Sequence, residues 1–116
     1  RNKYLLTEIL LILCTCPDKE VAERLARSLI EKQLAACVNI LPDITSIYRW
    51  QHRIESAGEY LLLLKTVQSR FEALRDELLR LHPYDVPEIL ALPVAAASPA
   101  YAEWVAHATR DDSETK

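Results

Sequence analysis

Two cysteines lie two positions apart, at Cys14 and Cys16, and they are the first residues here that could do chemistry. In an extended strand, residues i and i+2 point to the same face, so the two thiols would lie together. Thiolates are soft ligands suited to copper(I) and zinc, but a free cysteine also packs as a small apolar side chain. Cys14 is therefore a candidate metal ligand, with packing as its alternative, whereas Cys16 and Cys37 are assigned to packing.

The other candidate ligands lie between His82 and Glu88. His82 ends an apolar helical pattern, where a neutral imidazole can bind metal and a protonated one can cap the helix C-terminus. Glu88 offers a hard oxygen ligand or a partner for Lys65, and its alternative is a structural hydrogen-bonded carboxylate. The hypothesis is a site of Cys14, His82 and Glu88 that prefers copper to magnesium because of its sulfur ligand. These residues are far apart in sequence, so their convergence depends on the fold.

A catalytic alternative would use Cys14, His82 and Asp85 as thiol, imidazole and carboxylate. The strand residues around Cys14 are bulky and Gly58 is the single glycine, so nothing resembles an oxyanion hole. A single glycine also excludes glycine-rich phosphate loops and dinucleotide fingerprints, because both need several. We expect no catalytic function.

Composition predicts one globular domain spanning residues 1–116, with a frayed tail from Arg110. Half of the residues are hydrophobic and 27% are charged, which excludes general disorder. Fourteen Lys and Arg against seventeen Asp and Glu give a net charge of −3, so neither nucleic acid nor an anionic membrane is an expected partner. Three cysteines are too few, and odd in number, for a disulfide framework, so we expect a reduced, cytoplasmic setting.

The N-terminal segment has two interpretations. Arg1 and Lys3 ahead of an apolar run imitate a secretory signal, but Glu8 interrupts the run and no small-residue cleavage site follows. We predict a strand there instead. Because the chain begins with Arg1 rather than Met, we expect a few further residues ahead of it.

The elements that would position the candidate ligands follow from apolar periodicity and from prolines. Asp18 is a predicted N-cap, Ser69 and Glu72 form a predicted capping box, and Ser98 precedes Pro99 at a predicted third helix start. Predicted strands cover 9–13, 35–50 with a break at Pro42-Asp43, 60–64 and 88–94, and predicted helices end near 31, 81 and 108.

The order β-α-β-β-α-β followed by a short helix predicts a ferredoxin-like α+β sandwich with an additional C-terminal helix. In that topology the first and third strands are central, and these two are continuous apolar runs. The two main helices cover only one face of the sheet. We therefore expect a second copy of the chain, or the third helix, to cover the other face.

The extended segment 44–51 predicts an oligomer. Its strand would present an unpaired edge, and its side chains are apolar or aromatic instead of edge-protecting. We predict that Ile47, Tyr48 and Trp50, together with Trp104 of the third helix, are core or interface anchors. A heterologous contact repeated three times closes a ring, which predicts a homotrimer.

Several segments, in this order along the chain, resemble the CutA divalent-cation tolerance proteins. They are Leu13-Cys14-Thr15-Cys16-Pro17-Asp18, Leu34-Ala35-Ala36-Cys37-Val38-Asn39, Thr45-Ser46-Ile47-Tyr48-Arg49-Trp50, Leu64-Lys65-Thr66, His82-Pro83-Tyr84-Asp85-Val86-Pro87-Glu88 and Tyr101-x-x-Trp104. The resemblance implies a ferredoxin-like homotrimer, association with copper and other divalent cations, and no established catalytic reaction. It also places Cys14 at the position of the cysteine that the family associates with copper.

Two residues depart from the family pattern. His52 stands where the family often has glycine in a hairpin turn, and Leu81 stands where some members carry a second histidine. A metal site built on paired histidines is therefore incomplete here. The functional alternative is a trimeric scaffold or small-ligand sensor that uses clefts between subunits, with metal binding incidental.

Overall fold

A computed structural model describes residues 7–111 of the chain. Within that range the elements follow the order β1 (Ile9–Cys16), α1 (Lys19–Glu31), β2 (Cys37–Trp50), β3 (Arg53–Val67), α2 (Phe71–Leu81), β4 (Leu90–Pro93) and α3 (Pro99–Ala108). The strands form one antiparallel sheet in the order β2-β3-β1-β4. The predicted ferredoxin-like α+β fold with central β1 and β3 is confirmed.

The predictions for the two termini fall largely outside the described range. Arg1 and Lys3, on which the targeting interpretation depends, lie outside the described range, whereas most of the apolar run that follows them, up to Cys16, is strand β1, as predicted. Most of the predicted tail is residues 112–116. At the start of that tail, Asp111 Oδ2 lies 3.4 Å from Arg70 Nη1.

One face of the sheet is closed by α1 and α2. Side chains alternate along a strand, and the even-numbered positions of β1 and β3 point to this face. They pack with leucines of both helices into one cluster whose fully buried members include Ile12, Cys14, Leu25, Leu29, Leu62, Leu64, Leu74 and Leu78. Each buried aliphatic side chain contributes about 1.5–3 kcal/mol, so this face dominates the stability of the chain.

The helix starts agree with the sequence in two of three cases. The Val21 N–H donates to Asp18 Oδ1 over 2.9 Å, as the predicted N-cap requires, and Ser98 stands at the N-cap position before Pro99. The predicted capping box of Ser69 and Glu72 is wrong. The chain leaves β3 through a 3-10 turn, Gln68–Arg70, so α2 begins one residue later than expected and has no side-chain cap.

The opposite face of the sheet is only partly covered. Helix α3 folds back onto β1 and β3, and its Val105 is fully buried there. Four leucines further along this face remain half-buried: Leu11, Leu13, Leu61 and Leu63. The third helix therefore provides one part of the expected cover and leaves an apolar strip open.

β2 and β3 continue beyond the sheet as a two-stranded arm, residues 44–59. Within residues 7–111, β1 pairs with β3 only as far as Tyr60, so there the strands of the arm pair only with each other. The predicted break at Pro42-Asp43 is a bulge, with a register shift between Leu41 and Ile44 and a φ of 60° at Asp43. The arm reverses at Gln51 and His52, both with positive φ, the pattern of a two-residue type I′ turn.

Candidate functional site

Cys14 lies in the core between the sheet and the helices. Its side chain is fully buried, and the thiol donates to the Thr15 carbonyl over 3.7 Å. Burial, followed by the negative charges of Cys16, Glu88 and Glu59, raises the pKa of Cys14 to about 12. The group is therefore a thiol at neutral pH, which fits the packing role that was its alternative. The pKa of Cys16 is raised to about 11, again mainly by burial.

His82 is buried at the C-cap position of α2, and both of its ring nitrogens are occupied. Nε2 lies 2.8 Å from the Thr15 carbonyl oxygen, and the Tyr84 N–H donates to Nδ1 over 3.1 Å. A carbonyl only accepts and an N–H only donates, so these partners assign the neutral tautomer with its proton on Nε2. In this arrangement the imidazole has no lone pair left for a metal ion.

Glu88 is exposed, in contrast to the other two predicted ligands, and it lines a cleft. Thr15 lines the same cleft, whereas its neighbour Cys14 points to the helix-covered face. Across residues 7–111, no three His, Cys, Asp or Glu side chains are placed so that they could hold one metal ion. The residues of one chain thus do not fit a copper site of Cys14, His82 and Glu88.

The cleft has a volume of about 640 Å³ and lies between the arm and the segment that follows α2. Aromatic rings and carboxylates dominate its lining, and no lysine or arginine from the described residues 7–111 lines it. The lining residues are Thr15, Ser46, Ile47, Tyr48, Trp50, Glu59, Tyr84, Asp85, Val86 and Glu88.

Glu59 is the charged group that sequence reasoning missed. Its side chain lines the cleft although the residue is only 8% exposed, and it accepts a hydrogen bond from the Tyr84 hydroxyl over 2.6 Å. Burial and the Glu59 carboxylate together raise the pKa of Tyr84, so the phenol stays protonated and donates. The signal was available: Glu59 directly precedes the apolar run 60–64, in a strand where an acid is unusual.

A short chain of contacts connects this carboxylate to β1. The ring of Tyr84 packs against His82 with 4.7 Å between the ring centroids, and His82 in turn contacts the Thr15 carbonyl. The His-Pro-Tyr segment therefore orients Tyr84 towards Glu59. Its role within this chain is to build one wall of the cleft.

The predicted interface residues are all exposed in the single chain. The exposed fractions are 71% for Ile47, 45% for Tyr48, 54% for Trp50 and 47% for Trp104. The first three lie on the arm, whereas Trp104 lies on α3 and packs against Tyr101 in a tilted arrangement with 5.6 Å between centroids. In the single chain these side chains are not core residues, and their role as interface anchors stays a prediction.

The family is decided by a match over most of the chain: residues 10–108 fit the CutA1 divalent ion tolerance protein family. The chain belongs to this family. It is 49% identical over 94 residues to the divalent-cation tolerance protein CutA of Thermus thermophilus, covering 81% of this chain and 91% of that protein. The family resemblance inferred from the ordered motifs is confirmed.

Some relatives are longer. Protein CutA of Mus musculus is 46% identical over 101 residues, which are 87% of this chain and 57% of that protein. The chloroplastic protein CutA of Arabidopsis thaliana is 42% identical over 102 residues, 88% of this chain and 56% of that protein. The chain thus spans little more than half the length of these two relatives.

Solved structures have the same fold. The divalent cation tolerance protein of Thermus thermophilus superimposes with a TM-score of 0.86 at 46% identity, over 88% of this chain and 99% of that one. A protein described as the periplasmic CutA of Archaeoglobus fulgidus gives 0.86 at 38% identity, over 88% and 99%. None of the helices within residues 7–111 has the length and apolarity needed to cross a membrane.

Proposed function

We propose that this CutA1 family chain assembles as a homotrimer and takes part in the response to divalent cations, copper among them. Membership of a family described by divalent-cation tolerance supports the cation response. The single observation that supports assembly is the arm: in the part of the chain that the structure describes, its strands pair only with each other and its large apolar side chains face water.

The arm is apolar on both of its faces. Arg49 pairs with Ile54, so Ile47 and Ile54 share one face, and they are 71% and 72% exposed. Tyr48 and Trp50 alternate with Ile47 and lie on the other. Each such side chain contributes about 1.5–3 kcal/mol when it is buried, so a subunit contact that covers Ile47 and Ile54 would withstand dilution. Three heterologous contacts closing a ring would leave no arm uncovered.

Sedimentation equilibrium at low micromolar concentration tests the assembly. We expect three times the chain mass of 13.3 kDa. Replacing Ile47 and Ile54 together by Asp should give monomers, whereas Ile30→Asp, a matched change of an exposed isoleucine on α1, should leave the trimer intact. A wild-type monomer would refute the proposal, and a wild-type dimer would show that the threefold closure is wrong.

Metal binding, in this proposal, is a property of the assembly. Cys14, His82 and Glu88 remain the ligands to test, and Glu88 is the exposed member of the set. With the pKa of Cys14 near 12, forming its thiolate at neutral pH costs roughly 4 kcal/mol more than for an ordinary thiol. We therefore expect weak binding that depends more on Glu88 than on Cys14.

Calorimetric titration with copper and with magnesium tests this set. We expect tighter binding of copper, and a loss of about tenfold in copper affinity for Glu88→Gln, against no change for the control Glu103→Gln on α3. If Cys14→Ser, His82→Ala and Glu88→Gln all bind copper like the wild type, the predicted ligands are wrong.

The proposal includes no catalytic step and a cytoplasmic location. The thiol of Cys14 is buried and protonated and the ring of His82 is fully engaged, which disfavours the thiol–imidazole set. The three free cysteines of the chain support a reduced compartment. Fractionation of expressing cells tests the location, and recovery outside the cytoplasm would contradict it.

A second candidate function is supported by the cleft. A volume of about 640 Å³ lies within the range of small-molecule sites and far exceeds what a metal ion fills. In this alternative the protein is a trimeric sensor or carrier of a small ligand, and metal binding is incidental.

A further inference from the structure

We propose that the cleft binds a small organic cation, an amine in its ammonium form, held by Glu59 and by the rings of Tyr48, Trp50 and Tyr84. The inference rests on the second candidate function and gives the chemical class of its ligand. No part of it requires a metal ion.

The buried charge of Glu59 is the first step. The residue is 8% exposed, and its hydrogen-bond partner is the neutral hydroxyl of Tyr84. In the part of the chain that the structure describes, no Lys, Arg or His forms an ion pair with Glu59. Withdrawing a carboxylate from water without a counter-charge is unfavourable. A cation entering the cleft would supply the missing charge.

The walls of the cleft are the second step. Aromatic faces attract cations through the ring quadrupole, and they recognise alkylammonium groups in particular. Tyr48, Trp50 and Tyr84 bring three such rings to one cavity that also holds Glu59. An apolar ligand would fill the space but leave the charge of Glu59 unpaired, and an anion would be repelled by it.

The distribution of charge distinguishes an organic cation from a metal ion. Asp85 and Glu88 line the same cleft as Glu59, yet no three acidic, histidine or cysteine side chains within residues 7–111 converge on a point that could hold a metal. Carboxylates spread over a cavity instead suit a ligand whose positive groups are separated along a chain. We therefore expect a diamine or triamine to bind more tightly than a monoamine of similar bulk.

The experiment is a calorimetric titration of the full chain with tetramethylammonium, putrescine and spermidine, with sodium chloride at matched ionic strength as the reference. The indole N–H resonance of Trp50 in an NMR titration reports where the ligand binds, and that of Trp104 serves as the distant control. We expect affinity to rise from tetramethylammonium to spermidine and the Trp50 signal to move.

Two variants separate this site from general attraction to an acidic protein. Glu59→Gln keeps the shape of the side chain and removes its charge, and we expect at least about a tenfold loss of spermidine affinity. Glu103→Gln makes the same charge change on the exposed surface of α3 and should bind like the wild type. Circular dichroism and the unfolding midpoint check that Glu59→Gln is folded.

Three outcomes overturn the inference. They are amine binding no stronger than the salt reference, equal spermidine binding by wild type and Glu59→Gln, and a shift of the Trp104 indole resonance without a shift of the Trp50 resonance. Occupation of the cleft by a residue of a second copy would produce the first of these. Sedimentation and copper titration of the same samples keep the proposals apart, because the state of assembly and the copper affinity are then known for every amine titration.

Discussion

The two halves of β3 differ in how far their apolar side chains are buried, although they belong to one continuous strand. In the half that lies in the sheet, from Tyr60 to Val67, side chains such as Leu62 and Leu64 are fully buried under α1 and α2. In the half that lies in the arm, Ile54 is 72% exposed. The apolar side chains of the sheet half are buried within one chain. The arm half is held only by the pairing of its two strands unless another surface covers its side chains. Apolar side chains of the same strand are therefore buried by the helices in the sheet half, whereas in the arm half only a surface outside the single chain could bury them.

The strongest test of this difference is a pair of truncations. Leu62→Ala removes a fully buried side chain and should lower the free energy of unfolding by about 2–5 kcal/mol. Ile54→Ala should change it by no more than about 0.5 kcal/mol when the protein is dilute enough to be monomeric. Urea denaturation across a range of protein concentrations measures both. Equal losses at every concentration would mean that the arm is packed within the chain.

The sheet half and its topology could be predicted from the sequence because each signal there is local. Continuous apolar runs, the Asp18 cap and the Ser98-Pro99 start act within a few residues of one another. The capping box at Ser69 was wrong because the chain leaves β3 through a 3-10 turn. At the start of this turn the Gln68 N–H donates to the carbonyl of Glu8, far away in sequence, over 3.0 Å. The length of β3 was also missed, since its arm half, which includes Arg53 and Glu55, lacks the apolar run.

The candidate site was harder to predict for a physical reason. Side-chain type suggested a metal site of Cys14 and His82, but burial and hydrogen bonds decide whether a donor is available. Both groups are occupied inside the chain, and within residues 7–111 the buried carboxylate without an ion pair is Glu59. Whether a carboxylate in a strand is paired cannot be read from its sequence neighbours.

His82 lies where the sheet half and the arm half meet, and its removal tests how strongly they are joined. His82→Ala would leave the Thr15 carbonyl and the Tyr84 N–H without their partner, which should cost about 1–3 kcal/mol of unfolding free energy. The control His107→Ala alters an exposed histidine of α3 and should cost no more than about 0.5 kcal/mol. Thermal unfolding followed by circular dichroism measures both, and equal midpoints would rule out a structural role for His82.

Acid sensitivity should come from the helix layer and not from the arm. Hydrogen bonds from Arg80 and then Lys32 lower the pKa of Glu77 from 4.5 to about 2. Because the pKa of Glu77 is lower in the folded state, its contribution to the free energy of unfolding is present above pH 4.5 and is lost as the pH falls towards 2. Both cationic partners are well exposed, so we expect the ionised Glu77 to contribute only about 1 kcal/mol to the free energy of unfolding.

Denaturation of Glu77→Gln between pH 7 and pH 2 measures this contribution. The variant should be less stable than the wild type at pH 7 and converge with it near pH 2. Glu55→Gln, which removes the loose 3.9 Å pair with Arg53 on the arm, should follow the wild-type curve throughout. A parallel offset of Glu77→Gln at every pH would assign its effect to packing.

The smallest effect is expected at the tip of the arm. His52 adopts a φ of 66° in the two-residue turn, a conformation that is unfavourable for any residue with a Cβ and free for glycine. His52→Gly should relieve that strain but also increase the freedom of the unfolded chain, so we expect a net stabilisation of about 0.5 kcal/mol. Hydrogen exchange of amides in the arm should slow in the variant, while exchange in the sheet half of β3 should not change. Slowing in both halves would show that they open together, and the distinction between a self-sufficient sheet and a dependent arm would then fail.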